Sequence, residues 1–238
     1  MNSKVATDFA KLVLITGAIG LAIFVIIRFG FSDVLPKDES TLISVDSELK
    51  LGELIAENLI ENNQNDLYEG ALADSALWVI SSRLLKNLDS SNYDYQFKIL
   101  DNPEVNAFTI PGGRIYTFKG LISFAETPEE LAAVLAHEMG HAQKRHVVDK
   151  LAKEFGLTIM FSIISGGDPL LINDFAQAVL SSAFDRKQEE EADDFALKLL
   201  EKSGINPDAM ASFFRKLNRE NLSYNESLEM VMSHVLNS

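Results

Sequence analysis

At 238 residues, 47% of them hydrophobic and none of them cysteine, the chain can bury one domain's core plus an appendage. Disulfides, thiolate metal sites and cysteine nucleophiles are excluded. A formal net charge of −14 argues against a nucleic-acid partner, because phosphate binding needs a basic footprint that this sequence lacks.

The first element is a run without charge, Leu12 to Ile27, "LVLITGAIGLAIFVII". With Phe9, Ala10 and the flank from Phe29 to Phe31, it is long enough to span a bilayer core of about 30 Å if Lys11 and Arg28 snorkel. The sequence therefore predicts one N-terminal transmembrane helix within an anchor of residues 1–31, touching lipid over residues 9–31. Lys4, Lys11 and the amino terminus outweigh Asp8 on one side; Asp33, Lys37, Asp38 and Glu39 follow Arg28 on the other. That bias predicts a cytoplasmic N-terminus and a domain on the non-cytoplasmic side, in the periplasm or its equivalent. Residues 32–43, including the polar stretch "SDVLPKDES", read as a linker, and residues 44–238 as the domain.

Two helical patterns open the domain, about Ser44 to Glu61 and about Glu69 to Asn87, with Leu51, Leu54, Ile55 and Leu59 at three-to-four spacing. The period then changes. "YDYQFKIL", Tyr93 to Leu100, alternates, and Val105 to Phe118 reads as two short strands around Pro111, Gly112 and Gly113. A helix follows, with Thr127 as N-cap, Pro128 in the first turn and Glu130 placed for a capping box, running to about Phe155. Phe155 to Ile164 is apolar but too short to cross a bilayer, and is read as a core helix or a surface touching lipid. A long helix from about Leu171 or Ala176 should end at Gly204, and a last one should begin near Pro207. The fold class predicted is α+β, mostly helical, with a small sheet.

Within the helix from Thr127 lies His137-Glu138-Met139-Gly140-His141, an H-E-x-x-H pattern. Histidines four residues apart project from one helix face about one turn apart, a spacing that suits two bonds of about 2.0 to 2.1 Å to one Zn²⁺. Glu138 occupies the neighbouring sector, where it can hold and deprotonate a water. A catalytic zinc needs a third protein ligand, and position 147 is Val, so the close three-histidine spacing is absent. The acidic run "EEEAD", Glu189 to Asp193, supplies candidates. Glu189 and Asp193 share a face, so one can bind the ion while the other fixes a ligand histidine's tautomer. Glu190 and Glu191 are expected to point elsewhere. His146, nine residues from His137 and off the ligand face, is read as scaffold.

Together "NAFTIPGGRIYTFKGL", "HEMGHAQKRH" and "DRKQEEEAD" resemble the zinc metallopeptidase family that includes HtpX and the CAAX prenyl endopeptidases, peptidase family M48. The resemblance covers about Ser44 to His234 and implies a zincin-like metallopeptidase domain. It further implies one Zn²⁺ on His137, His141 and Glu189, with Glu138 as general base and Asp193 as the acidic residue further along the ligand helix. Asn106, Ala107 and Phe108 match an edge strand along which a peptide substrate adds. The family's tail motif is altered here: Ser233 and His234 are followed by Val235 and no arginine. Either His234 still serves the oxyanion or caps the zinc, or the sequence ends before that motif. The implied function is membrane-anchored, zinc-dependent endopeptidase activity on protein or peptide substrates, in quality control of membrane or envelope proteins. The alternative is a zinc-bearing, chaperone-like adaptor that binds misfolded segments and cuts little. Oligomeric state is silent in the sequence.

Overall fold

The computed structural model describes residues 42–61, 66–166, 169–181 and 183–220. The expected anchor, nearly all of the linker and His234 lie outside the described residues. The elements run α1 (Val45–Glu61), α2 (Ala71–Lys86), β1 (Gln96–Leu100), β2 (Ala107–Ile110), β3 (Arg114–Phe118), α3 (Lys119–Phe124), α4 (Pro128–Gln143), α5 (His146–Phe155), α6 (Leu157–Ile164), α7 (Pro169–Leu180), α8 (Arg186–Lys202) and α9 (Asp208–Arg219). This is a mostly helical α+β architecture with one three-stranded sheet in the order β1-β3-β2. No helix among the described residues is long and apolar enough to cross a membrane.

β1 runs parallel to β3, and β2 antiparallel to it, with Phe108 opposite Tyr116 and Ile110 opposite Arg114. The β2–β3 connection is tight because Gly112 and Gly113 both take positive φ, 83° and 74°, which residues with a Cβ rarely adopt. Alternation along the strands feeds two separate cores. Ala107, Ile115 and Ile99 point into a cluster with Leu77, Leu84, Val134, Leu135, Leu199 and Phe213, contributed by α2, α4, α8 and α9. Phe108, Tyr116 and Leu100 point into the other, with Leu51, Ile55, Leu151, Met160 and Phe175 from α1, α5, α6 and α7. The sheet is thus covered on both faces. Burial of each large apolar side chain, Phe213 or Phe175 for example, stabilises the fold by about 1.5–3 kcal/mol.

Two expected helices are each broken in two. The helix from Thr127 stops at Gln143, and α5 starts at His146 after Arg145 turns left-handed at φ 59°, ψ 28°. The expected helix from Leu171 or Ala176 to Gly204 is interrupted after Leu180, and α8 restarts on a capping box in which the Asp185 side chain accepts from the Gln188 N–H and the Gln188 side chain returns to the Asp185 N–H. Thr127 does cap α4, accepting from the Glu130 N–H at 3.2 Å, but the Glu130 carboxylate reaches one residue further back, to the Glu126 N–H at 2.8 Å. Buried Lys216 of α9 donates to that same carboxylate and to the Phe124 carbonyl, pinning the start of α4 to α9. On α6, Met160 and Ile163 are fully buried while Ile159 and Phe161 are exposed, so the segment is a core helix with an apolar outer edge.

Candidate metal centre

α4 is buried along almost its whole length, and α8 crosses it at very close range. Gly140 makes that approach feasible: a Cβ there would lie 2.8 Å from the Ala192 carbonyl oxygen and 2.9 Å from its Cα, closer than real Cβ atoms come. The crossing sets Glu189 and Asp193, either side of Ala192, against His137 and His141, either side of Gly140. All four side chains are buried.

The donor atoms of His137, His141 and Glu189 all lie within 4.8 Å of one another. His137 Nε2 is 3.0 Å from His141 Nε2 and 3.5 Å from Glu189 Oε2, and His141 Nε2 is 3.7 Å from Glu189 Oε1. For tetrahedral bonds of 2.0–2.1 Å the ligand–ligand edge is about 3.3–3.4 Å, so these separations bracket what one Zn²⁺ requires. A second observation tests the fit. Glu189 Oε2 is buried with no hydrogen-bond partner, and such an atom is costly unless a cation answers it. A proton shared between the two imidazoles would satisfy the nitrogens and leave that oxygen orphaned. A divalent ion satisfies all three, and the set of two imidazoles and a carboxylate is one that zinc accepts.

Asp193 Oδ1 lies 2.8 Å from His137 Nδ1. A carboxylate only accepts, so His137 carries its proton on Nδ1 and turns the Nε2 lone pair toward Glu189. Burial pulls the His137 pKa down, but the hydrogen bond to Asp193 and the charges of Asp193 and Glu189 outweigh it and hold it well above the ordinary 6.5, so a metal ion at Nε2 would take the place of a second proton. His141 meets no carboxylate on its Nδ1 side; burial, with His137 and His146 beside it, holds its pKa well below 6.5. Glu138 is buried on α4 next to His137. Ala107 and Phe108 lie on β2, one of the two outer strands of the sheet, which packs against α4, while Asn106 just precedes it and its carbonyl accepts from the Phe118 N–H at 2.9 Å.

His146, read from the sequence as scaffold, has its Nδ1 3.0 Å from His141 Nδ1. The break at Lys144 and Arg145 brings it there. Glu191 faces His146 and not the three donor atoms, its Oε2 lying 3.3 Å from His146 Nε2. Phe184, in the segment between α7 and α8, stacks on His141 with ring centroids 4.0 Å apart and planes 22° from parallel. Sequence reasoning missed that contact, and a single aromatic in a connecting segment gives no signal for it.

The chain is similar to several known proteases. The chain is 26% identical over 220 residues to the beta-barrel assembly-enhancing protease of Yersinia pestis, covering 86% of this chain and 45% of that protein. It is 33% identical over 126 residues to the mitochondrial metalloendopeptidase OMA1 of Arabidopsis thaliana, covering 52% of this chain and 26% of that one. It is 30% identical over 148 residues to the metalloprotease LoiP of Escherichia coli K12, covering 59% and 58% respectively. The chain therefore spans about a quarter to just over half the length of these relatives. Residues 72–236, which include every described element from β1 onward, all but the first residue of α2, and the whole buried cluster of His137, His141 and Glu189, match Peptidase family M48, and the chain belongs to that family.

Proposed function

We propose that the chain is a zinc-dependent endopeptidase, with His137, His141 and Glu189 as the protein ligands and Glu138 as the general base. The observation that carries this reading is the convergence of three buried donor atoms, one of them an orphaned carboxylate oxygen. When bound, the ion supplies Lewis acidity that lowers the pKa of a water and polarises a carbonyl, the chemistry that amide hydrolysis needs at neutral pH. Glu138 takes the proton of the attacking water and later hands it to the leaving amine. Asp193 keeps His137 in the tautomer that presents Nε2. An extended substrate adds along β2, with Asn106, Ala107 and Phe108 at its start, so that backbone hydrogen bonds rather than side-chain identity supply most of the affinity. His234 is the sequence's candidate for the oxyanion or for capping the zinc.

The uncharged run Leu12 to Ile27 and its flanking charges support an anchored enzyme with its domain on the non-cytoplasmic side. Relatives named for beta-barrel assembly and for mitochondria support a role in protein quality control at a membrane. The test is degradation of casein by the full chain, with Glu138→Gln and a zinc chelator as controls. Wild type should cleave; the variant should keep its zinc and lose about 10²–10⁴ in rate, as removal of a general base does. Full activity in Glu138→Gln would remove the mechanism.

One observation favours a second reading, a chaperone-like adaptor: Ile159, Phe161 and Leu170 expose apolar surface on α6 and at the start of α7. The same experiment separates the two. An adaptor suppresses aggregation of a denatured protein equally well as wild type and as Glu138→Gln, with cleavage in neither.

A further inference from the structure

His141 lacks the carboxylate that orients His137, and its Nε2 is the atom turned toward His137 and Glu189. Its proton therefore belongs on Nδ1, and the acceptor within reach is His146 Nδ1 at 3.0 Å. An imidazole nitrogen accepts only when it carries no proton, so the His146 proton must sit on Nε2. That nitrogen faces Glu191 Oε2 at 3.3 Å, and the other Glu191 oxygen is 3.1 Å from Lys187 Nζ, an ion pair that keeps the carboxylate an acceptor. One polarity satisfies the whole chain: His141 Nδ1–H donates to His146, and His146 Nε2–H donates to Glu191. Reversing it would require a proton on Glu191.

The backbone that delivers His146 is itself held in place. Arg145 is the only described non-glycine residue with positive φ, a conformation that disfavours a Cβ and persists where surrounding contacts impose it. Its Nε donates to Glu48 Oε2 at 2.8 Å and its Nη2 to the Ile43 carbonyl at 2.6 Å. Glu48, buried on α1, also accepts from the Tyr93 hydroxyl and from the Gly112 N–H. A carboxylate fixed from three sides thus fixes the turn that places His146 first on α5. Phe184 lies against both His141 and His146, which limits the ways either ring can turn.

We propose that His146, with Glu191 behind it and the Glu48–Arg145 clamp beneath it, is a positioning residue that holds His141 in the tautomer presenting Nε2 to the metal. The inference rests on the reading of His141 as a ligand. Orienting groups of this kind change metal affinity by about 10–100-fold when removed. A residue that merely fills space would be replaced by any side chain of similar volume.

The test is zinc affinity of the full chain by chelator competition, comparing His146→Asn, whose amide oxygen can stand where Nδ1 stood, with His146→Gln, whose amide lies nearer the Nε2 position. The relay predicts near-wild-type affinity for Asn and a loss of about 10–100-fold for Gln and for His146→Leu. Equal affinities in Asn and Gln would overturn it. Should the variants misfold, the ring-nitrogen NMR spectrum of the zinc-loaded wild type decides: a His146 proton on Nε2 supports the relay, and one on Nδ1 contradicts it. His141→Ala isolates the premise, because unchanged zinc binding there refutes the ligand reading whatever His146 does.

Discussion

His137 and His141 stand one turn apart on α4, yet the structure holds them by different means. His137 meets Asp193 directly, and both residues lie at the crossing of α4 and α8 that Gly140 permits. His141 is reached through His146, and His146 is placed by a left-handed residue clamped to Glu48, 97 positions earlier in the chain. One imidazole is thus oriented by a local helix crossing and the other by a long-range tertiary contact. The difference predicts which substitutions act on both imidazoles and which act on one.

Glu48→Ala should have the largest effect on stability and should act only on the His141 side. It leaves Arg145, the Tyr93 hydroxyl and the Gly112 N–H without their shared acceptor, and since Arg145 stays partly exposed the cost should lie at the lower end of the about 3–5 kcal/mol of a buried ion pair. Urea denaturation should read that loss, and the NMR signals of His141 and His146 should shift more than those of His137.

Gly140→Ala should disturb both sides at once. The added methyl meets the backbone of Ala192, which cannot swing aside as a side chain can, so the helices must separate. Overpacking of this kind costs about 1–3 kcal/mol, and zinc affinity should fall with it because Glu189 and Asp193 move away from both histidines together. A variant with unchanged melting temperature and unchanged affinity would show that the close crossing is dispensable.

The smallest effects measure the comparison itself. Asp193→Ala should weaken zinc binding about 10–100-fold, since it removes a buried carboxylate in direct contact with a ligand ring. Glu191→Ala should weaken it less, because Glu191 is half-exposed, acts through His146 and lies at a longer 3.3 Å. Chelator competition on the two variants checks the order. The reverse order would mean that the His141 side, not the His137 side, is the more tightly specified.

What was legible in the sequence follows the same division. The His137–His141 spacing, the Glu189–Asp193 spacing, the Thr127 cap and the turn at Gly112 and Gly113 are local patterns with local causes. The structure brings the four site residues together, and the strand alternation reappears as two cores on two faces of one sheet. The break at Arg145 was not legible, because it joins two stretches of good helix former with no proline or glycine at the break, whereas the break after Leu180 carries a local signal, Asp185 three residues before Gln188. A left-handed arginine is imposed by Glu48, and nothing near position 145 announces it. The approach of His146 to His141 was not legible for that reason: it depends on a bend whose cause lies on α1.

The central claim is that His137, His141 and Glu189 jointly hold one metal ion. Elemental analysis of the purified full chain, wild type beside Glu189→Ala, tests it most directly, with circular dichroism to confirm that both are folded. A shared site gives close to one zinc per wild-type chain and little or none in the variant after brief dialysis against a weak chelator. Equal zinc in both proteins would contradict it.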